Sequence, residues 1–341
     1  MTLSLLFAAA VVVTTTAVAR LPFGPKFPPL KGATAWLNTE PLTPAGLRGK
    51  VVVVEFWTYT CINWRRTLPY VRTWAERYKD QGLVVIGVST PELSFEKDVN
   101  NVRRATKEMK MDFPIAIDND YAIWNAFGNQ YWPALYFIDA QGNIRHHQFG
   151  EGHYEESEAV IRELLTESGA KGLPEAAPID ADGVELAADG NTIGSGENFL
   201  GYGRTENFSS PGRTVYDKPH VYAAPARLEL NQWALSGDWT FGREAVVVNK
   251  AGGRLTYRFH ARDVNLILGP AKPGASVRFR VLIDGLAPGG AHGADIDSEG
   301  NGTITEQGMY QLIRQSGPIV DREFAIEFLD PGAEAFDFTF G

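Results

Sequence analysis

The sequence predicts an α/β domain followed by an all-β sandwich. Three observations carry that division. In the first half, continuous β-branched runs such as Val51–Trp57 and Leu83–Ser89 alternate with helical patterns, as in a parallel sheet covered on both faces. In the second half, from about Gly194, short alternating runs are separated by Gly, Pro, Asn and Asp, which is the pattern of an antiparallel sandwich. Between them, Ser168 to Asn191 is rich in Gly, Ala, Pro and Asp and has no sustained periodicity, so it reads as a connection.

In order along the first half, Val51–Trp57 is a strand that ends at Cys61, the single cysteine of the chain. A helix follows from about Asn63 to Tyr78, with Leu68, Val71, Trp74, Ala75 and Tyr78 at spacings of three and four. Pro69 falls inside that helix, where proline is expected to kink it. Leu83–Ser89 is the next strand, Phe95 to Met109 a second helix, Phe113–Asp118 a short strand and Ala122 to Phe127 a brief helix. Pro133 stands directly before the strand Leu135–Asp139 and is a candidate cis peptide. Gln141-Gly142-Asn143 turns the chain into Ile144–Phe149, and Tyr154 to Leu165 closes the domain as a helix.

The cysteine's placement points to chemistry. A thiol at a strand-to-helix turn meets free backbone N–H groups and the positive end of the helix dipole, both of which favour the nucleophilic thiolate. Arg65 and Arg66 add positive charge one turn on. A lone cysteine is more often a small buried hydrophobe. Against that reading stand Glu55 inside an apolar strand, Trp57 four residues before the cysteine and Pro69 eight after it.

These residues carry a resemblance. The segment resembles the active-site strand and helix of the exported thioredoxin-like proteins of the TlpA and DipZ type. In the DipZ group the motif runs Trp-Thr-Tyr-Thr-Cys-Ile-Asn-Cys, then Arg-Thr-Leu-Pro-Tyr. This chain matches from Trp57 to Asn63 and from Arg66 to Tyr70, but Trp64 replaces the second cysteine. The resemblance implies that Cys61 attacks, that Glu55 is the buried acid passing a proton, and that Pro133 is the cis-proline facing the cysteine. Asn63 and Trp64 complete the motif, with Trp64 expected to shield one side of the sulfur. Trp132, Trp57 and Thr58 are expected to border the substrate, whose extended segment would pair with the backbone at Trp132-Pro133. With one cysteine no intramolecular disulfide can form, so a mixed disulfide would need an external thiol reductant to resolve it. The expected partners are thiol- or disulfide-bearing proteins.

Two other readings compete. The degenerate site could hold partners without redox chemistry. Thr58-Tyr-Thr-Cys61 also fits the Thr-x-x-Cys pattern of one-cysteine peroxidases, although Val54 replaces the proline that opens that motif.

The resemblance extends into the second half, in Asn198–Phe208, Trp233–Thr240 and Glu327–Gly332. It implies a jelly-roll shape like carbohydrate-binding modules, and makes Tyr202, Trp233 and Trp239 candidate rings for stacking on a glycan. The residues themselves predict strands at Ala226–Leu230, Ala245–Asn249, Arg254–Arg258, Val264–Leu268, Val277–Asp284, Gly302–Thr305, Glu323–Phe328 and Ala335–Phe340, the last burying one face through Phe336, Phe338 and Phe340. Asp295, Asp297, Glu299 and Glu306 have partial EF-hand spacing, but a strand precedes them, and an acidic turn is the expectation. His146, His147 and His153 do not read as a metal site either, because two of them alternate sides of a strand. No metal and no cofactor is expected.

A net charge of −9 without basic clusters argues against nucleic acid as a partner. Leu3 to Ala19 is apolar and uncharged and ends Ala17-Val-Ala19, which predicts a signal peptide or membrane anchor and export to the periplasm or another extracytoplasmic space. The expected organisation is residues 1–20 as signal or anchor, 21–35 as a Pro-rich linker, 36–168 as the thioredoxin-like domain, 169–193 as a linker and 194–341 as the sandwich.

Overall fold

The computed structural model describes residues 24–176, 179 and 181–341. The expected signal or anchor, residues 1–20, lies outside the described residues. Among those described, no helix is long and apolar enough to cross a membrane.

The first half is an α/β unit. Its strands are β1 (Ala35–Leu37), β2 (Val51–Trp57), β3 (Leu83–Ser89), β4 (Ile115–Ile117), β5 (Ala134–Ile138) and β6 (Ile144–Phe149). They form one sheet in the order β1-β4-β3-β2-β5-β6. Strands β2, β3 and β4 run parallel, and β5 is antiparallel to β2. Helices α1 (Ile62–Tyr78), α2 (Val99–Glu108), α3 (Ala122–Phe127) and α4 (Tyr154–Glu167) cover the sheet. Every residue of β2 is buried, which is why it reads as an unbroken apolar run. α1 continues through Pro69. The helix expected over Phe95–Met109 is instead two pieces, a 3₁₀ turn at Ser94–Lys97 and then α2. Asp98 separates them: its carboxylate accepts the Asn100 N–H at 2.8 Å and starts a new helix.

The second half is a β-sandwich. Its strands are β7 (Asn198–Phe199), β8 (Pro219–Tyr222), β9 (Trp233–Phe241), β10 (Val246–Val248), β11 (Gly253–Phe259), β12 (Asp263–Pro270), β13 (Val277–Ile283), β14 (Asn301–Ile304), β15 (Gly308–Arg314), β16 (Arg322–Phe328) and β17 (Ala333–Phe340). The path runs β14-β13-β16-β11-β9-β10-β17-β12-β15, with β7 beside β17 and β8 beside β9. Trp233, Leu235, Trp239, Phe241, Tyr257, Phe279, Phe324 and Phe338 fill the core. Ala226–Leu230 forms no strand. β9 and β15 are strands that the alternation did not announce. In β9, Ser236-Gly237-Asp238 interrupts the apolar pattern, and Gly237 has φ +96°, a bend that glycine adopts without a Cβ clash.

One strand ties the two halves together. Phe338 and Phe340 face the sandwich core as expected, but Phe336 does not. A bulge shifts the β12–β17 register between Ile267 and Leu268, so Ala335 and Asp337 have partners on β12 and Phe336 has none. Phe336 turns toward the first domain and meets the Phe95 ring edge-on at 4.9 Å. Ala245, Ile267 and Met309 join the same apolar cluster as α1 and β2. Polar ties surround that contact. Glu244 accepts the Ser94 N–H at 2.8 Å, Arg104 pairs with Glu306 at 2.5 Å, and the buried Arg66 donates to the Phe340 carbonyl at 3.3 Å. The 3₁₀ turn Gly183–Glu185 of the connecting segment is held by Arg72 at 2.7 Å to Glu185 and by Arg314 at 2.6 Å to the Gly183 carbonyl.

Candidate active site

Cys61 is the N-cap residue of α1, with extended backbone angles (φ −70°, ψ 114°). Its carbonyl accepts the Arg65 N–H at 3.0 Å, the first bond of the helix. The backbone N–H groups of Asn63 and Trp64 are directed at the sulfur. Across from it, the Trp132–Pro133 peptide is cis, and the Trp132 carbonyl oxygen lies 3.9 Å from Sγ. The Trp132 indole donates to the Thr90 carbonyl at 3.1 Å and packs on Trp124, which holds that loop in place. Cys61 thus lies opposite the cis Trp132–Pro133 peptide.

The electrostatics depart from expectation. Burial pushes the Cys61 thiol up, and the nearby charges of Glu92 and Glu197 push the same way, against the two backbone N–H groups. The expected arginines do not help. Arg66 is buried and paired with Glu151 at 3.2 Å. Arg65 faces the charges of Asp295, Glu185 and Glu108. Burial and the two carboxylates thus oppose ionisation of the partly exposed sulfur in the unliganded protein.

Beneath it, Glu55 is fully buried and neither carboxylate oxygen has a hydrogen-bond partner. Burial pushes its carboxyl up to about 8, with the Trp64 indole partly opposing. Neither Lys50 nor an arginine pairs with it. Trp64 does not stand over Cys61 as a shield. Its ring is wholly buried and stacks on Trp57, with centroids 4.5 Å apart and planes at 27°. Gly87 makes room for that stack, since a Cβ there would come within 2.8 Å of the Trp57 indole nitrogen and of the Ile115 side chain. So Trp64 fills the space below the cysteine rather than the approach to it.

Other expected contacts are also relocated. Trp57 and Thr58 are buried and cannot border a substrate. Strand alternation sends Trp57 inward, and the Thr58 hydroxyl faces Glu96. Trp132 is half-buried and Asn63 exposed, so both remain reachable. Trp233 and Trp239 are core residues, not exposed platforms. Their N–H groups donate to the Glu206 and Ser236 carbonyls at 2.8 Å, so both rings are satisfied inside the sandwich. Tyr202 is half-buried against Tyr216 and donates to Asp217 at 3.0 Å. Asp297 caps its own turn through the N–H groups of Glu299 and Asn301, and Glu306 is paired with Arg104. Among the described residues no group of three or more His, Cys, Asp or Glu is placed to hold a metal.

Several residues near the site escaped sequence reasoning. Glu96 accepts the Thr60 hydroxyl at 2.5 Å and the N–H groups of Glu92 and Leu93, locking the loop after β2 to the loop after β3. Glu92 pairs with Arg204 at 3.0 Å, and Glu197 and Asp337 reach the same region from the sandwich. A carboxylate between Phe336 and Phe338 was the available signal for Asp337.

Comparison with known proteins agrees with this geometry. Residues 24–147 match the family model "AhpC/TSA family", and residues 195–341 match "Thioredoxin like C-terminal domain". The thiol-disulfide oxidoreductase YkuV of Bacillus subtilis is 31% identical over 141 residues, covering 41% of this chain and 95% of YkuV. The chain belongs to the thioredoxin-fold thiol-disulfide oxidoreductases. Within them it is DipZ/TlpA-like. Protein DipZ of Mycobacterium tuberculosis is 40% identical over 248 residues, or 71% of this chain and 35% of DipZ. The chain thus covers about a third of that relative's length. A solved thioredoxin-like protein in its oxidised form is 31% identical and overlaps 43% of this chain and 99% of its own, with a TM-score of 0.40.

Proposed function

We propose that this is an exported monothiol oxidoreductase that forms mixed disulfides through Cys61 and relies on an outside thiol for turnover. The observation that carries the reading is Cys61 at the head of α1, 3.9 Å from the Trp132 carbonyl, with buried Trp64 where a resolving thiol would stand. A thiol- or disulfide-bearing protein segment lies along Trp132-Pro133. The Cys61 thiolate attacks one sulfur of the substrate disulfide. A Cys61–substrate S–S bond forms, and the other sulfur leaves with the electron pair and takes a proton. An outside thiolate then attacks the mixed disulfide on the substrate's sulfur and releases Cys61. Asn63 and Trp64 steady the thiolate through their backbone N–H groups. Glu55, protonated at neutral pH, is the proton store beneath the site. Export rests on the composition of residues 1–20 and on the likeness to DipZ.

A second reading draws on the raised Cys61 thiol: the same groove holds partners without exchange. The peroxidase reading has less support, because Thr58 is turned inward and Arg66 is committed to Glu151. Glycan stacking loses two of its three rings and keeps only Tyr202. The test is capture of oxidised glutathione or a protein disulfide by Cys61, read by intact mass, with Cys61→Ser as the blank. Stoichiometric adducts that dithiothreitol releases support the oxidoreductase reading. A thiol that takes no disulfide at neutral pH overturns it and leaves the binding reading.

A further inference from the structure

The surroundings of Cys61 include an acidic wall contributed largely by the sandwich. β7 pairs with β17 at Phe199 and Asp337, which sets Glu197 beside Asp337 so that their carboxyl groups meet. Glu92 reaches the same place from the first domain and binds Arg204 at 3.0 Å. The Arg204 guanidinium also sits 3.3 Å above the Phe199 ring, which fixes its position. Three carboxyl groups therefore share one guanidinium.

A second observation is independent of charge. On the same face of the sheet, Asn265 is fully buried and neither atom of its amide has a hydrogen-bond partner. Its neighbour across the β12–β17 ladder, Thr339, has an unpartnered hydroxyl, and so has Oδ1 of Asp337 two residues before. A buried polar group left unpaired is costly. These groups lie on the face of β12 and β17 turned from the sandwich core toward the first domain, where a ligand's polar atoms would complete their bonding. The groups present are mostly acceptors, and burial with mutual repulsion raises the Glu197 and Asp337 carboxyls, so the complement is a cation rich in N–H donors whose charge favours their ionised forms.

We propose that Glu92, Glu197 and Asp337, with Asn265 and Thr339, form a subsite for a lysine or arginine side chain next to the cysteine of the substrate that Cys61 attacks. This rests on the reading of Cys61 as the attacking thiol. The subsite couples recognition to reactivity. The charges of Glu92 and Glu197 oppose the thiolate in the free protein. A bound cation offsets them, so the nucleophile forms when a matching segment arrives.

The test uses two small thiosulfonates of opposite charge on the full chain: 2-aminoethyl methanethiosulfonate and 2-sulfonatoethyl methanethiosulfonate. With either, the Cys61 thiolate attacks the sulfenyl sulfur, a new S–S bond forms, and methanesulfinate leaves with the electron pair. Rates are read by intact mass and divided by the rates of the same reagents with 2-mercaptoethanol. The expected normalised preference for the cation is about tenfold or more. It falls to about threefold or less in Glu197→Gln, in Asp337→Asn, and for the unaltered protein in about 0.5 M salt. Glu197 is exposed, so its variant keeps the fold. A normalised ratio near one, retention of the preference in both variants, or failure of both reagents to modify Cys61 overturns the subsite. A clear cation preference together with no capture of disulfides leaves the subsite standing and removes the exchange reading.

Discussion

Two walls flank Cys61, and each holds a buried carboxyl for a different reason. On the side of its own domain, Trp57 and Trp64 stack above Glu55, and the packing leaves no polar partner. On the side of the sandwich, Asp337 is as deeply buried, but it lies beside Glu197, which is exposed. The first carboxyl is sealed, whereas the second borders an approach. Burial raises both pKa values, yet only the second can be answered by a ligand charge. The contrast teaches that the indole at position 64 helps seal one carboxyl in apolar packing, whereas the sandwich carboxyl keeps an exposed acidic neighbour.

The largest expected effect comes from reopening the sealed wall. Trp64→Cys supplies the second thiol of Cys-x-x-Cys, and insulin reduction with dithiothreitol as donor rises from background to measurable turnover. No gain would show that the altered site has lost more than a resolving sulfur. Next is Glu55. Its carboxyl holds its proton up to about 8 in the folded chain but ionises near its ordinary value of 4.5 when unfolded. The folded state therefore binds more protons between those values, and stability falls as pH rises through that window. Glu55→Gln removes this loss. Denaturation curves of the variant should decline less than those of the unaltered protein between pH 5 and pH 8, by roughly 3 kcal/mol.

A smaller effect is expected at Gly87, whose missing Cβ admits the Trp57–Trp64 stack. Gly87→Ala should destabilise by about 1–3 kcal/mol through overpacking. Near-UV circular dichroism of the tryptophans should change with it. Smallest is the rim of the sandwich wall. Arg104 is half-buried at the rim and Glu306 is exposed, so Arg104→Ala should cost about 1 kcal/mol or less and leave Cys61 reactivity unchanged. A large change at Arg104 would mean that the two walls are held together by rim charges rather than by Phe95 and Phe336.

Much of this was legible in the chain. The β-branched run Val51–Trp57, the spacing of α1 and the Pro133 strand are local signals, because period and turn chemistry act over a few residues. The same signals place Cys61 at a helix start and Pro133 before a strand, and resemblance supplied their meeting. What the sequence alone determined is the one sulfur, and with it the impossibility of an internal disulfide. Only the tertiary structure decided the environment of that sulfur. Whether Arg65 and Arg66 aid the thiolate depends on Glu151 and Asp295, which are far away in sequence. Whether an aromatic ring is a sugar platform or core depends on which sheet face it occupies. The β12–β17 bulge set the direction of Phe336, and strand pairing placed Asp337 near Glu197, whose charge acts on Cys61. Charge and burial act through space, so the electrostatics of Cys61 are a property of the two domains together.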